Sequence, residues 1–224
     1  MGVEFTVTPR LVEQTLRACG LEASPLLVQA VIHYVEILQK WNLKINLTGL
    51  RDTSEILRTH FAESFFAARR LGAADTPVLD IGSGAGFPGL ALKLYRPELT
   101  VYLLEPRKKR ASFLSVVRGE LALPQVTIFN KTLEECRLED FPIRPAMLTL
   151  RALGEMGRLT RLGLRLLPEH GKVLLFSTSR QVRQVAVRLS EIHWGEPIPI
   201  PWTREKVLLM GQRKRMRPLA GGST

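Results

Sequence analysis

Between residues 82 and 89 four glycines stand in eight positions, directly after the apolar run Val78-Leu79-Asp80-Ile81 and directly before a helical pattern over Gly89–Tyr95. Glycine there lets the backbone take positive φ and lets a ligand come close to the main chain. Pro88 stands at a helix start, where its missing N–H does no harm. A strand, a glycine loop and a helix in this order place a binding site at the carboxyl edge of an open α/β sheet. The rest of the chain agrees with that frame. Strands are predicted at 78–81, 100–104, 126–129, 147–150, 172–176 and 206–210, and helices between them at 89–95, 108–121, 153–167 and 181–192. Such alternation gives a parallel sheet covered on both faces. The front third reads differently, as helices over 9–19, 25–40 and 53–71. Residues 193–203, with three prolines and two tryptophans, read as a loop. The expected organisation is a helical extension (1–75), an α/β domain (76–212) and a basic, loose tail (213–224).

Two registers of the glycines compete. Gly84-x-Gly86-x-x-Gly89 matches a dinucleotide fingerprint, whereas Asp80-x-Gly82-x-Gly84-x-Gly86 resembles the first motif of class I methyltransferases. Asp80 favours the second, because a strand-terminal carboxylate suits a ligand with an ammonium group better than a pyrophosphate. Glu105, closing the second strand, is placed to accept both ribose hydroxyls and serves either cofactor. Chain length argues against a dehydrogenase, since no residues remain for a second, nicotinamide-substrate domain. The expected cofactor is therefore S-adenosylmethionine, leaving as S-adenosylhomocysteine, and the resemblance to class I methyltransferases implies their mostly parallel seven-stranded sheet.

Charge points to the substrate. Residues 1–77 hold eight Lys/Arg and eight Asp/Glu, so the whole formal charge of +11 falls on residues 78–224. A bias of that kind suits a polyanion, and nucleic acid before membrane. Cys19 and Cys136 read as two buried thiols in a reducing cytosol, no metal-ligand spacing occurs, and no secretory or spanning segment is visible. The expected location is cytoplasmic, and nothing demands more than a monomer. The fourth strand leads into Arg151-Ala152-Leu153-Gly154 rather than the Asn/Asp-Pro-Pro-aromatic motif of amino-group methylation. Methylation at pyrimidine C5 needs a cysteine nucleophile, and Cys136 has no motif around it. A nucleophile that needs no deprotonation, such as guanine N7, matches this absence of acid–base machinery.

The chain resembles the bacterial 16S ribosomal RNA guanine-N7 methyltransferases, also called glucose-inhibited division protein B, over roughly residues 25–210. The resemblance lies in Trp41-Asn42-x-x-x-Asn46-Leu47-Thr48, His60, Glu63-Ser64, the Asp80-to-Gly89 loop, Lys109-Arg110-x-x-Phe113-Leu114, Leu133-Glu134 and Arg151-Ala152. It implies a class I sheet with an N-terminal helical extension. It also implies cofactor contacts from Gly82, Phe87, Leu133 and Glu134, with Glu134 near the adenine, and places Arg151 between cofactor and RNA. Asn46, His60 and Ser64 would line the substrate side, while Trp41 reads as core. Together with the glycine-loop reading, the expected cofactor set is Asp80, Gly82, Gly84, Gly86, Phe87, Glu105, Leu133, Glu134 and Arg151. The expected RNA set is Asn46, His60, Ser64, Arg107, Lys108 and Lys109, with Arg213, Lys214, Arg215 and Arg217 as a second basic run. Three positions depart from the family pattern: Glu63 stands for the usual Asp, Thr132 for an arginine, and Ser177-Thr178 for Lys-Gly. A methyltransferase of another RNA or a small molecule, and an inactive RNA-binding relative, remain the alternatives.

Overall fold

The structure, a computed structural model, describes residues 7–151 and 154–215. The front third is helical: α1 (Pro9–Ala18), α2 (Pro25–Asn42), α3 (Thr53–Ile56) and α4 (Glu63–Ala68). Thr8 and Ser24 cap the first two, each accepting a backbone N–H from its own first turn, with proline at the first helical position. The run expected as one helix over 53–71 is broken into α3 and α4 by a π-helical turn, Leu57–Ala62, and ends at Ala68. Such turns are commonly found at functional sites.

The α/β part follows as β1 (Val78–Ile81), α5 (Gly89–Tyr95), β2 (Val101–Leu104), α6 (Lys108–Glu120), β3 (Val126–Phe129), β4 (Met147–Arg151), α7 (Met156–Gly163), β5 (Lys172–Thr178), α8 (Ser179–Arg188), β6 (Ile192–Trp194), β7 (Ile198–Pro199) and β8 (Lys206–Arg213). The sheet order is β3-β2-β1-β4-β5-β8-β6, with β7 also on β8. The first five strands are parallel, and β8 runs antiparallel between β5 and the β6/β7 edge. Among the described residues the sheet thus has eight strands rather than seven. The stretch expected as a loop supplies two short edge strands, and the helix expected to reach residue 192 stops at Arg188. Pro199 is tolerated there because an edge strand has no neighbour waiting for its N–H. The tail expected from residue 213 loses its first member, since Arg213 ends β8, and Arg217 lies outside the described residues.

Strand residues alternate between two cores. Val78 joins the larger cluster, which includes Val12, Tyr34, Leu38, Phe61, Leu90 and Phe113 and so fuses the N-terminal helices to one sheet face. Leu79 and Ile81 join the other cluster, under α7 and α8. The helical extension is therefore part of the main core. The chain order reverses between β1 and β4, and at such a switch point a crevice opens at the carboxyl edge of the sheet. No helix among the described residues is long and apolar enough to cross a membrane.

Candidate functional site

The glycine loop leaves β1 at that switch point. Gly82, Gly84 and Gly86 all have positive φ (72°, 55° and 83°). Gly82 and Ser83 both donate their N–H groups to the Leu104 carbonyl, which ties the loop's start to the end of β2. Gly84 N–H donates to Glu105 Oε2 at 2.9 Å, and Arg107 N–H to Oε1 at 2.9 Å. Two hydrogen bonds leave lone pairs on this buried carboxylate for further donors. Asn130 binds the Glu105 and Pro106 carbonyls and so brings the end of β3 to the same place. A Cβ at Gly84 would meet nothing closer than 3.8 Å, whereas one at Gly86 would sit 2.1 Å from Tyr34 Oη. The loop thus has an open side at Gly84 and a packed side at Gly86.

Asp80 belongs to the packed side. Its carboxyl is 1% exposed and accepts the Gly89 N–H at 3.1 Å, anchoring the first turn of α5. Burial raises its pKa to about 7, against the opposing pull of that N–H. The pairing with a ligand ammonium expected from the sequence is not laid out here, because the carboxyl turns under the loop. Between its ordinary value of 3.8 and about 7, folding takes up a proton, so stability falls as pH rises through this window. Asp80→Asn keeps an acceptor for Gly89 and flattens that part of the profile. Urea titrations across the window test this, and an unaltered slope refutes it.

Phe87 is also packed rather than open. It stacks on Tyr34 (5.3 Å) and on His60 (4.6 Å) and meets Phe61 edge-on. Tyr34, which the sequence shows only as one member of an apolar stripe, donates from Oη to the Ala85 carbonyl at 2.7 Å. The Trp41-to-Thr48 motif resolves into roles. Trp41 packs on Phe113. The Asn42 side chain clasps the turn through Leu47 N–H, Thr48 N–H and the Thr48 carbonyl. Thr48 Oγ1 holds His60 Nε2 at 2.9 Å. Asn46 is exposed, and its carbonyl accepts from Arg110, whose Nη1 lies 3.8 Å from where a Gly84 Cβ would be. Arg110 thus connects that turn to the open side of the loop.

Across the crevice, Arg151 ends β4. Its guanidinium donates to the Thr59 carbonyl in the π-helical turn and to Glu63 Oε2 at 2.9 Å. Glu63 is 2% exposed and takes a second cation, Lys206 from β8, on Oε1 at 2.8 Å. Burial first, then the charges of Arg151 and Lys206, hold His60 well below the ordinary imidazole range, which favours its neutral ring. Among the described residues, His60 Nδ1 and Arg151 Nη1 are buried without a partner. Ser64 is fully buried and donates to the His60 carbonyl, so its hydroxyl does not face an open substrate side.

The remaining expected residues divide. Leu133 is buried, and its carbonyl accepts from Arg165. Glu134 is half exposed and pairs with Arg158 of α7 at 2.7 Å rather than with any glycine-loop residue. Arg107, Lys108 and Lys109 are exposed where α6 begins, next to Glu105. No cluster of His, Cys, Asp or Glu suited to a metal is present among the described residues.

The family described as rRNA small subunit methyltransferase G matches residues 27–195, three quarters of the chain. The chain belongs to this family. The ribosomal RNA small subunit methyltransferase G of Roseiflexus sp. (strain RS-1) is 35% identical over 204 residues, covering 88% of this chain and 87% of the relative. That of Chloroflexus aggregans is 33% identical over 211 residues, covering 91% and 89%. Among solved structures, a ribosomal protein L11 methylase from Lactobacillus delbrueckii subsp. bulgaricus aligns with a TM-score of 0.57 at 13% identity, over 70% of this chain and 80% of that one. A SAM-dependent methyltransferase from Aquifex aeolicus aligns at 0.56 and 15% identity, over 75% and 97%. At these identities the structures share the fold, that of class I methyltransferases.

Proposed function

We propose that this member of the methyltransferase G family transfers a methyl group from S-adenosylmethionine to N7 of a guanine in small-subunit ribosomal RNA. The observation that carries the cofactor half is the lock between Gly84 and Glu105. It holds a loop whose glycines 82, 84 and 86 take positive φ and an oriented carboxylate together on the open side of the β1–β4 crevice. When bound, S-adenosylmethionine supplies an electrophilic methyl on a sulfonium. The Gly82–Gly86 backbone bounds its amino-acid side, and Glu105 accepts from its ribose hydroxyls. Leu133 and Glu134 flank the adenine. Asp80 and Phe87 act from beneath, as the anchor and the packing wedge of the loop.

The substrate side is formed by Asn46, His60 and Arg151, with Arg107, Lys108 and Lys109 gripping phosphate. The two unpartnered nitrogens at that corner, His60 Nδ1 and Arg151 Nη1, support this reading, because buried polar groups are rarely left unsatisfied. Guanine N7 carries its own lone pair, so the residues need to position it and exclude water rather than take a proton. The neutral state of His60 suits that task, since it adds no positive charge beside a ring that becomes cationic.

The test is transfer of labelled methyl from S-adenosylmethionine to small ribosomal subunits, followed by nucleoside analysis. 7-Methylguanosine is expected, and label in any other nucleoside refutes the reading. Gly84→Val should abolish cofactor binding in calorimetry while circular dichroism stays native. Its Cβ has room, and the left-handed backbone costs on the order of 1–2 kcal/mol. Unchanged affinity would remove the loop from the site.

A further inference from the structure

Two hollows meet at Arg161, one between α7 and α8 and the other between the end of α7, the Ser190–Glu191 turn and the end of β8. The first, about 430 Å³, opens at Gly154, just past the carboxyl end of β4, and at Ser177, the residue before the last of β5. The second, about 480 Å³, reaches Ser190 and Lys214 at the opposite edge of the sheet. Together the two hollows, separated by the Arg161 side chain that reaches the Arg188 carbonyl, line up across the helix layer from the edge that holds Arg151. Their walls carry seven basic side chains against two acidic ones, Glu155 and Glu191.

These cations differ in how they are held. Arg158 is fixed by Glu134 and Glu155, and Arg161 by Glu191 and the Arg188 carbonyl. Arg165 and Arg213 spend donors on backbone carbonyls. Arg188 and Lys214 are exposed and engage no partner with their side chains among the described residues. A compact anion would meet one or two of these charges. A chain of phosphates would meet them in succession, since α7 alone extends about 12 Å at about 1.5 Å per residue.

We propose that this groove carries a single strand of the substrate RNA away from the methylated base, with Arg188 and Lys214 contacting phosphates. The proposal rests on the RNA-methyltransferase reading above and adds a path that leaves the site on the α7–α8 side, away from the Arg107–Lys109 cluster. Gln184 offers an amide to sugars or base edges along that path.

The test is a double variant, Arg188→Gln/Lys214→Gln, titrated with a protein-free transcript of the small-subunit RNA at several salt concentrations. Each lost phosphate contact on a single strand removes about 0.7 from the slope of log K against log salt, so the slope should shrink by about 1.4. Cofactor affinity and the melting midpoint should stay at wild-type values. The single variant Arg188→Lys, with Lys214 native, should keep the wild-type slope, because phosphate reads charge here. An unchanged slope overturns the proposal. So does a defect seen only with assembled subunits and absent with the transcript, which would assign the groove to a protein partner. If the wild-type chain bound the transcript but methylated no guanine, the functional reading would fail while the slope still judged the groove.

Discussion

Glu63→Ala is expected to cost about 3–5 kcal/mol of folding stability, the range for breaking a buried ion pair from one side. Arg151 has a side chain only 10% exposed, and the Glu63 carboxylate compensates its charge. Without that carboxylate the guanidinium keeps its bond to the Thr59 carbonyl but loses its counter-ion, while Lys206 stands nearby. Such a loss is a large share of the roughly 5–15 kcal/mol that holds a typical domain together. Lys206→Met is expected to cost under about 1 kcal/mol, since its side chain is 39% exposed and water replaces part of the pairing. Glu63→Asp is expected to keep Arg151 and release Lys206. Urea unfolding of the three variants tests the assignment, and equal effects from Glu63→Ala and Lys206→Met would show that Arg151 does not rely on the pair.

Gly86→Val should unfold or grossly loosen the loop, and with it abolish binding of S-adenosylmethionine. The residue sits at φ 83°, and its new Cβ would fall 2.1 Å from Tyr34 Oη and 2.8 Å from Leu90 Cδ1. Tyr34 cannot yield easily, being fully buried and bonded to the Ala85 carbonyl. Left-handed strain of about 1–2 kcal/mol and overpacking of about 1–3 kcal/mol add in the same direction. The comparison with Gly84→Val is informative because the two glycines share a loop and differ in what surrounds them. A melting midpoint of Gly86→Val as high as that of Gly84→Val would contradict the packed side described above.

The sheet and its glycine loop were legible because their signals are local. Val78–Ile81 is a short β-branched and leucine run that ends on glycine, and Gly89–Tyr95 follows it, so both bounds match the structure. The edge strands were not legible, since Pro197, Pro199 and Pro201 in the sequence carry the marks of a loop. Only the position of the segment, at a sheet edge, makes strand pairing compatible with them. The site divides in the same way. Gly84 and Glu105 stand 21 residues apart but on adjacent strand ends, a relation that the strand–loop–helix pattern already supplies. The Glu63 pairs span 88 and 143 residues, and no periodicity encodes them. The inward turn of Asp80 was hidden for another reason: a strand-terminal carboxylate has the same sequence mark whether it faces a ligand or the helix beneath the loop.

Among the described residues the last strand to emerge in synthesis, β8, is interior to the sheet, with β5 on one side and the short β6 and β7 on the other. It also delivers Lys206 to the carboxylate that seats Arg151. A chain that has emerged only through β4 lacks the strand on which β6 and β7 pair and one of the two counter-ions of Glu63. The seating of Arg151 is thereby tied to a strand that follows β4 late in the chain order. A nascent or C-terminally clipped molecule carries the glycine loop but not the finished far wall of the crevice.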